Sequence, residues 1–316
     1  MNVVAWRVPR GKSILGSSHC PQCDLKLDFR SNLPIFGWFR NEGKCIGCDG
    51  SIPPRYLIAE FILGSAFLIL FLRETVSGGV TIPFREPNIQ IGINHIILYP
   101  KWDLIASLAS HLALLSLLFT FAIIRSEKRL IPWSVWSVAV FVAIASLIAV
   151  RFPGIVDWKF SADHWLPFGI EAIKALGLAI LASACAASVV SLARLENFHV
   201  CIFTFSLVGL FLGWQSVLSV LLTILLLAVV AIVLGHLVAG KLRTCLWHAI
   251  SPTALVFLST LLHLCFWQQQ RSLSFWPAPG CDVFAFLFSL GLSVGIAGTI
   301  RSWMNRRGQM STIAAF

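Results

Sequence analysis

"YLIAEFILGSAFLILFLR", residues 56–73, is an apolar run broken only by Glu60 and closed by Arg73. As a helix it would rise about 27 Å at ~1.5 Å per residue, close to the ~30 Å hydrocarbon thickness of a bilayer. Similar runs follow at roughly 104–124, 133–151, 169–191, 199–213, 215–238, 249–267 and 283–300. The fifth is short, and only Gly213-Trp214 parts it from the sixth, so seven or nine spans fit the pattern as well. Of the 316 residues, 57% are hydrophobic and 12% charged, with mean hydropathy +0.83. A soluble domain is nearer to about 45–50% apolar and about 25% charged. The expected fold class is therefore an all-α polytopic membrane protein of about eight transmembrane helices, with the lipid bilayer as its solvent.

The net charge of +10 raises nucleic acid as a partner. Its placement excludes that reading, because the basic residues lie between apolar runs as a topology signal. With residues 1–55 in the cytoplasm and the spans alternating, 17 Lys and Arg fall on the inner side and 6 on the outer. Lys174 lies within a span. The bias puts the N-terminal head in the cytoplasm.

That head is polar and too short for a large core without a staple. It carries "SHCPQC" (18–23) and "CIGC" (45–48), two C-x2-C pairs. Four thiolates from two such turns can surround one tetrahedral zinc, so Cys20, Cys23, Cys45 and Cys48 read as a structural site in a zinc-ribbon-like head. Disulfides or free thiols are the competing reading, and a cytoplasmic location argues against disulfides. His19 reads as a neighbour of the site, and a closed shell of four cysteines leaves no position for a catalytic water. The other cysteines, Cys185, Cys201, Cys245, Cys265 and Cys281, are scattered and read as small packing residues.

Taken together, "NVVAWRVPRGKSI", "SHCPQC", "NLPIFGWFRNEGKCIGC" and "IPPRYLIAEFILG" resemble the N-terminal region of the bacterial type IV prepilin peptidases. Further along, "RLIP" (129–132), "EAIKALG" (171–177), "LVGLFLGWQ" (207–215) and "SPTALV" (251–256) resemble that family's core. The implied organisation is a four-cysteine cytoplasmic head over 1–55, a helical membrane domain over 56–260, and an added helix with a basic tail over 261–316. Family members open with a further membrane helix before "NVV", which implies a segment upstream of Met1 or its loss. Implied also are residence in the bacterial inner membrane and prepilin-like signal segments or pilus and secretion assembly proteins as partners. The family's activity is aspartic endopeptidase cleavage of prepilin leaders joined to N-methyl transfer from S-adenosylmethionine.

The family's chemistry rests on two aspartates whose repulsion and burial keep one protonated and one ionised. Counting back from Pro132 puts the first at Arg125. Counting back from Gly213 puts the second at Cys201, with the motif's glycines at Phe198 and Val200 and its lysine at Phe203. An alternative register on "GIEA" (169–172) leaves Ala172 there. Neither supplies an aspartate, and a guanidinium cannot act as a general base. Glu127 and Glu196 are the available substitutes as a displaced dyad, and His199 with Cys201 is a nucleophile–base alternative. Residues two apart on a helix diverge by about 200°, which counts against His199–Cys201. The competing reading is a salt-linked loop, Glu127 among Arg125, Lys128 and Arg129, with Glu196 near Arg194.

The leading expectation is a degenerate homologue without aspartic protease activity. An active peptidase using Glu127 and Glu196, a surviving methyltransferase and a non-enzymatic membrane binding or assembly factor are the alternatives. Glu171 and Lys174 hint at an ion path, but their spacing suits a local pair. Trp102, Trp158 and Trp165 in the outer loops read as interface anchors. There too, His95 and His164 are too isolated to be ligands, and Asp103, Asp157 and Asp163 are on the wrong side for a cytoplasmic site.

Overall fold

The computed structural model describes residues 2–11, 18–79 apart from 21, 29 and 32, 102–149, 168–273 apart from 194 and 238–250, residue 276, and 283–313. His95, Asp157, Trp158, Asp163, His164, Trp165, Cys245 and Cys281 lie outside the described residues. The head contains two short helices, α1 (Asn2–Arg7) and α2 (Phe36–Arg40). Each apolar run of the sequence then coincides with one long helix. These are α3 (Arg55–Phe71), α4 (Trp102–Ser126), α5 (Trp133–Ala149) and α6 (Phe168–Leu192). They continue with α7 (Phe198–Leu212), α8 (Trp214–Leu237), α9 (Pro252–Ser272) and α10 (Val283–Ile313). Among the described residues the only β-pairings are two isolated bridges in the head.

Among the described residues, three segments are long and apolar enough to cross a membrane: Arg55–Val76, Leu104–Ser126 and Trp214–Leu234. Trp133–Ser146, Leu176–Leu192 and Phe198–Leu212 are apolar but shorter. The coarse expectation, an all-helical membrane protein, holds. Long helices stand at the positions of the eight apolar runs, and among the described residues three of them are long and apolar enough to span.

The ambiguity between the fifth and sixth runs is decided by one residue. Gly213 adopts φ 90°, a left-handed conformation that side chains disfavour, and its N–H bonds to Gly209 O at 2.9 Å. The chain breaks there into α7 and α8. A Cβ on Gly209 would lie 3.2 Å from both Ala179 of α6 and Val217 of α8, so this glycine lets three helices approach closely.

The bundle is apolar outside, with Phe61, Phe141 and Leu181 more than half exposed, while its buried interior includes polar groups. Where lipid replaces water, helices gain by packing small residues and hydrogen bonds inward. One core runs through Leu70, Leu114, Phe121, Ala186, Phe205 and Leu221. Buried in it, His263 of α9 meets Ser216 (3.0 Å) and Ser219 (3.0 Å) of α8 and Gln270 (2.8 Å), while Trp276 Nε1 donates to Ser219 Oγ at 2.8 Å. Past Phe71, α3 widens into one π-turn, Leu72–Val76, where fully buried Glu74 pairs with His111 of α4.

Candidate functional sites

The head is built from two turns with the same local design. In the first, Cys20 N–H bonds to Leu25 O (2.9 Å) and Asp24 N–H to Cys20 O (3.0 Å). In the second, Cys45 N–H bonds to Gly50 O (2.9 Å) and Asp49 N–H to Cys45 O (3.0 Å). Each turn closes with an aspartate in the left-handed region, Asp24 at φ 55° and Asp49 at φ 52°, a conformation Asp tolerates better than most residues. The repeat Cys-x-x-Cys-Asp therefore folds twice into the same clip. Behind it, Trp38 donates from Nε1 to Ile52 O at 3.1 Å and covers Gly43, where a Cβ would meet its ring at 2.7 Å.

The two clips face each other. All four sulfur atoms lie within 4.8 Å of one another, with Cys20–Cys48 and Cys23–Cys45 each at 3.8 Å. A disulfide needs about 2.05 Å, so no bridge joins them. A tetrahedron with metal–sulfur bonds of ~2.3 Å has an edge of about 3.8 Å, the length for zinc thiolate. The donors fit one tetrahedral metal ion. Without a cation the thiols divide in character. Backbone N–H groups of Cys23 and Gln22 draw Cys20 down to about 7. The Gly50 N–H favours the Cys48 thiolate, but crowding by the Cys23 thiol and desolvation push Cys48 up to about 12. Four thiolates so close need a positive charge among them.

The second site is the place to which the two counted aspartate positions lead. Arg125 ends α4 and Cys201 stands in the first turn of α7, and both lie beside the same carboxylate, Glu196. Arg125 holds it two-pronged, Nη2 to Oε1 at 2.7 Å and Nε to Oε2 at 3.3 Å, with side chains 14% and 8% exposed. The Asn197 N–H adds a third bond to Oε1 at 3.0 Å. Charge-assisted, two-pronged pairs of this kind are the strong ones. Glu196, Cys201, Thr204, Pro252 and Thr253 line a small recess. Phe203 packs on Trp136 (4.9 Å) and Trp133 (6.0 Å) of α5.

The salt-linked loop takes a different form from the local pairing expected of it. Arg125 reaches Glu196 across 71 residues rather than Glu127, because side chains two apart on a helix diverge and the α6–α7 turn delivers Glu196 instead. Glu127 meets Arg10 (3.2 Å), Arg55 (3.4 Å) and Arg129 (3.6 Å). No described contact joins Glu127 to Glu196. His199 is exposed and packs edge-on against Phe198, while Cys201, two residues on in the same regular helix, is buried. Sequence reasoning missed the Glu74–His111 pair and the His263 network. Glu74 follows Arg73 and reads as loop, and each histidine is a lone polar residue in an apolar run.

The family description that matches is the bacterial peptidase A24 N-terminal domain, over residues 1–74. A type 4 prepilin-like proteins leader peptide-processing enzyme of Escherichia coli O78:H11 is 30% identical over 97 residues, covering 25% of this chain and 36% of that protein. A prepilin leader peptidase/N-methyltransferase of Myxococcus xanthus is 33% identical over 104 residues, 31% of each chain. One of Vibrio cholerae is 35% identical over 81 residues, 22% of this chain and 30% of that one. The chain thus spans about a third of the length of these relatives. No solved structure matches it significantly. Residues 1–74 match the bacterial peptidase A24 N-terminal domain, and the relatives that the chain resembles in part are named as prepilin leader-processing enzymes.

Proposed function

We propose that this chain is a degenerate prepilin leader peptidase homologue, without aspartic protease activity, that binds prepilin-like signal segments or an assembly partner in the bacterial inner membrane. The observation that carries this is the Arg125–Glu196 pair beside Cys201. Aspartic chemistry needs two carboxyl groups sharing one water, one charged and one protonated. Here Glu196 of the recess is engaged two-pronged by the Arg125 guanidinium, and Glu127, near the same end of the bundle, pairs with three arginines. Phe203 fills with aromatic packing the place of a lysine.

In this reading the head lies in the cytoplasm and Cys20, Cys23, Cys45 and Cys48 hold zinc. The zinc staples the two clips, with four thiolates filling its coordination and no water position left. S-adenosylmethionine enters by the family resemblance alone; two of the relatives are called N-methyltransferases.

The test is leader cleavage of co-expressed prepilin-like proteins in cells lacking other leader peptidases. The unmodified chain is expected to leave them uncleaved. Cleavage that disappears with Glu196→Gln would instead establish an active enzyme with relocated acids. Arg125→Asp combined with Cys201→Asp asks whether the scaffold regains activity once both carboxyls return.

A further inference from the structure

We propose that α2 of the head is a membrane-docking foot: Phe36 and Phe39 enter the headgroup region of the adjacent leaflet, and Arg30 and Arg40 hold its anionic lipids.

The helix "FGWFR" has two faces. Gly37 is buried against the Ser31 backbone, where a Cβ would lie 2.4 Å from Ser31 O, and Trp38 turns inward to bond Ile52 O. Those two contacts force Phe36 and Phe39 outward, 75% and 62% exposed. Leu33, just before the helix, is also exposed. A small domain facing only water gains nothing from displaying these side chains together.

The level of α2 relative to the bilayer is fixed by one hydrogen bond. Ile35 N–H donates to Glu60 Oε2 at 2.9 Å, and Glu60 stands in the second turn of α3. Segment Arg55–Val76 has 22 residues, about 33 Å of helix against ~30 Å of hydrocarbon, so Glu60, about 7.5 Å from its head-side end, lies just inside the boundary and its side chain reaches back toward the headgroups. Its neighbours Ile58, Phe61 and Ile62 are 53%, 62% and 43% exposed, as lipid-facing side chains are. The foot therefore continues the lipid-facing surface of α3 at headgroup depth. That depth is where amphipathic segments bury aromatic side chains.

Charge selects the lipid. Arg40 directly follows Phe39, and Arg30 lies close enough that both act on Asp28, whose carboxylate is already engaged by the Ser31 N–H at 2.9 Å. Both arginines are exposed. Basic residues at this depth are drawn to anionic headgroups. The inference concerns the lipid surface and stands whether or not the recess at Glu196 is catalytic.

The experiment places a photoreactive benzoylphenylalanine at Phe36, or at Phe39, in the full chain reconstituted in nanodiscs. The discs hold phosphatidylcholine alone or mixed with phosphatidylglycerol, and mass spectrometry reads the irradiated peptide. Both side chains are exposed, so metal content serves as the check that the head is folded. The expected product is a phospholipid adduct at both positions, roughly fivefold stronger with phosphatidylglycerol. The double variant Arg30→Gln, Arg40→Gln is expected to remove that preference. The proposal is overturned if neither position yields a lipid adduct while the same probe at Phe61 does. It is equally overturned if the adduct goes to protein, a second copy included, or ignores phosphatidylglycerol.

Discussion

The head clip and the recess at Glu196 gather reactive side chains in opposite ways. In the clip, four donors converge within 4.8 Å and their geometry is complete for a metal. In the recess, the scaffold still brings the two counted positions to one place, but an arginine and a cysteine stand there around a glutamate. The difference teaches that the two sites depend on their parts differently: a clip needs all four donors around one cation, whereas the recess balances its buried carboxylate with a single guanidinium.

The largest expected effect breaks the clip. Cys45→Ser, or a strong chelator, should release the metal and unfold residues 18–52. Structural zinc contributes on the order of 10 kcal/mol in small domains, and metal content together with proteolysis of the head reads the loss. Retention of a protected head without metal would contradict the staple. The same clip should titrate. Cys20 carries its thiolate from about pH 7 upward, whereas Cys48 remains a thiol until about 12 in the free protein, so binding must expel protons. Apparent zinc affinity is then expected to fall by at least about tenfold per pH unit below neutrality, as competition titrations would show.

The recess gives the next effect. Arg125→Ala strands a largely buried carboxylate and should cost about 3–5 kcal/mol, seen as a lowered Tm in detergent. Arg125→Met with Glu196→Met removes both charges and should recover most of that loss. A double variant no more stable than Arg125→Ala would show that the pair itself, not the stranded charge, carries the energy.

Packing at the α7–α8 break ranks third. Gly209→Leu would push against Ala179 and Val217, which even a lone Cβ there would approach to 3.2 Å, and should cost about 1–3 kcal/mol. Glu127→Gln comes last. Its partners Arg55 and Arg129 are 57% and 40% exposed, so screening should hold the change below about 1 kcal/mol in the same melt. A larger drop would promote the arginine cluster from a solvated face to a structural element.

Much of this was legible in the chain. Apolar runs marked every long helix because a membrane helix must be apolar along its whole length, and the signal is local. The cysteine pairs announced the clip for a similar reason, since each turn contributes both of its ligands within four residues. Less could be read at the recess. Counting from Pro132 and Gly213 identified Arg125 and Cys201, yet nothing near either residue indicates that Arg125 pairs with Glu196. The buried Glu74–His111 pair was invisible because its members lie on different helices, 37 residues apart.

By itself, then, the sequence determined what depends on neighbours along the chain: the helix positions, the four clip cysteines and the family signature over residues 1–74, while the break at Gly213 needed its backbone conformation. Tertiary structure alone decided which charges meet, which face of α2 turns outward, and which polar groups are buried among α3, α4, α8 and α9. The physical reason is that ion pairs and interhelical hydrogen bonds depend on how helices pack, and each partner's local sequence is compatible with many packings.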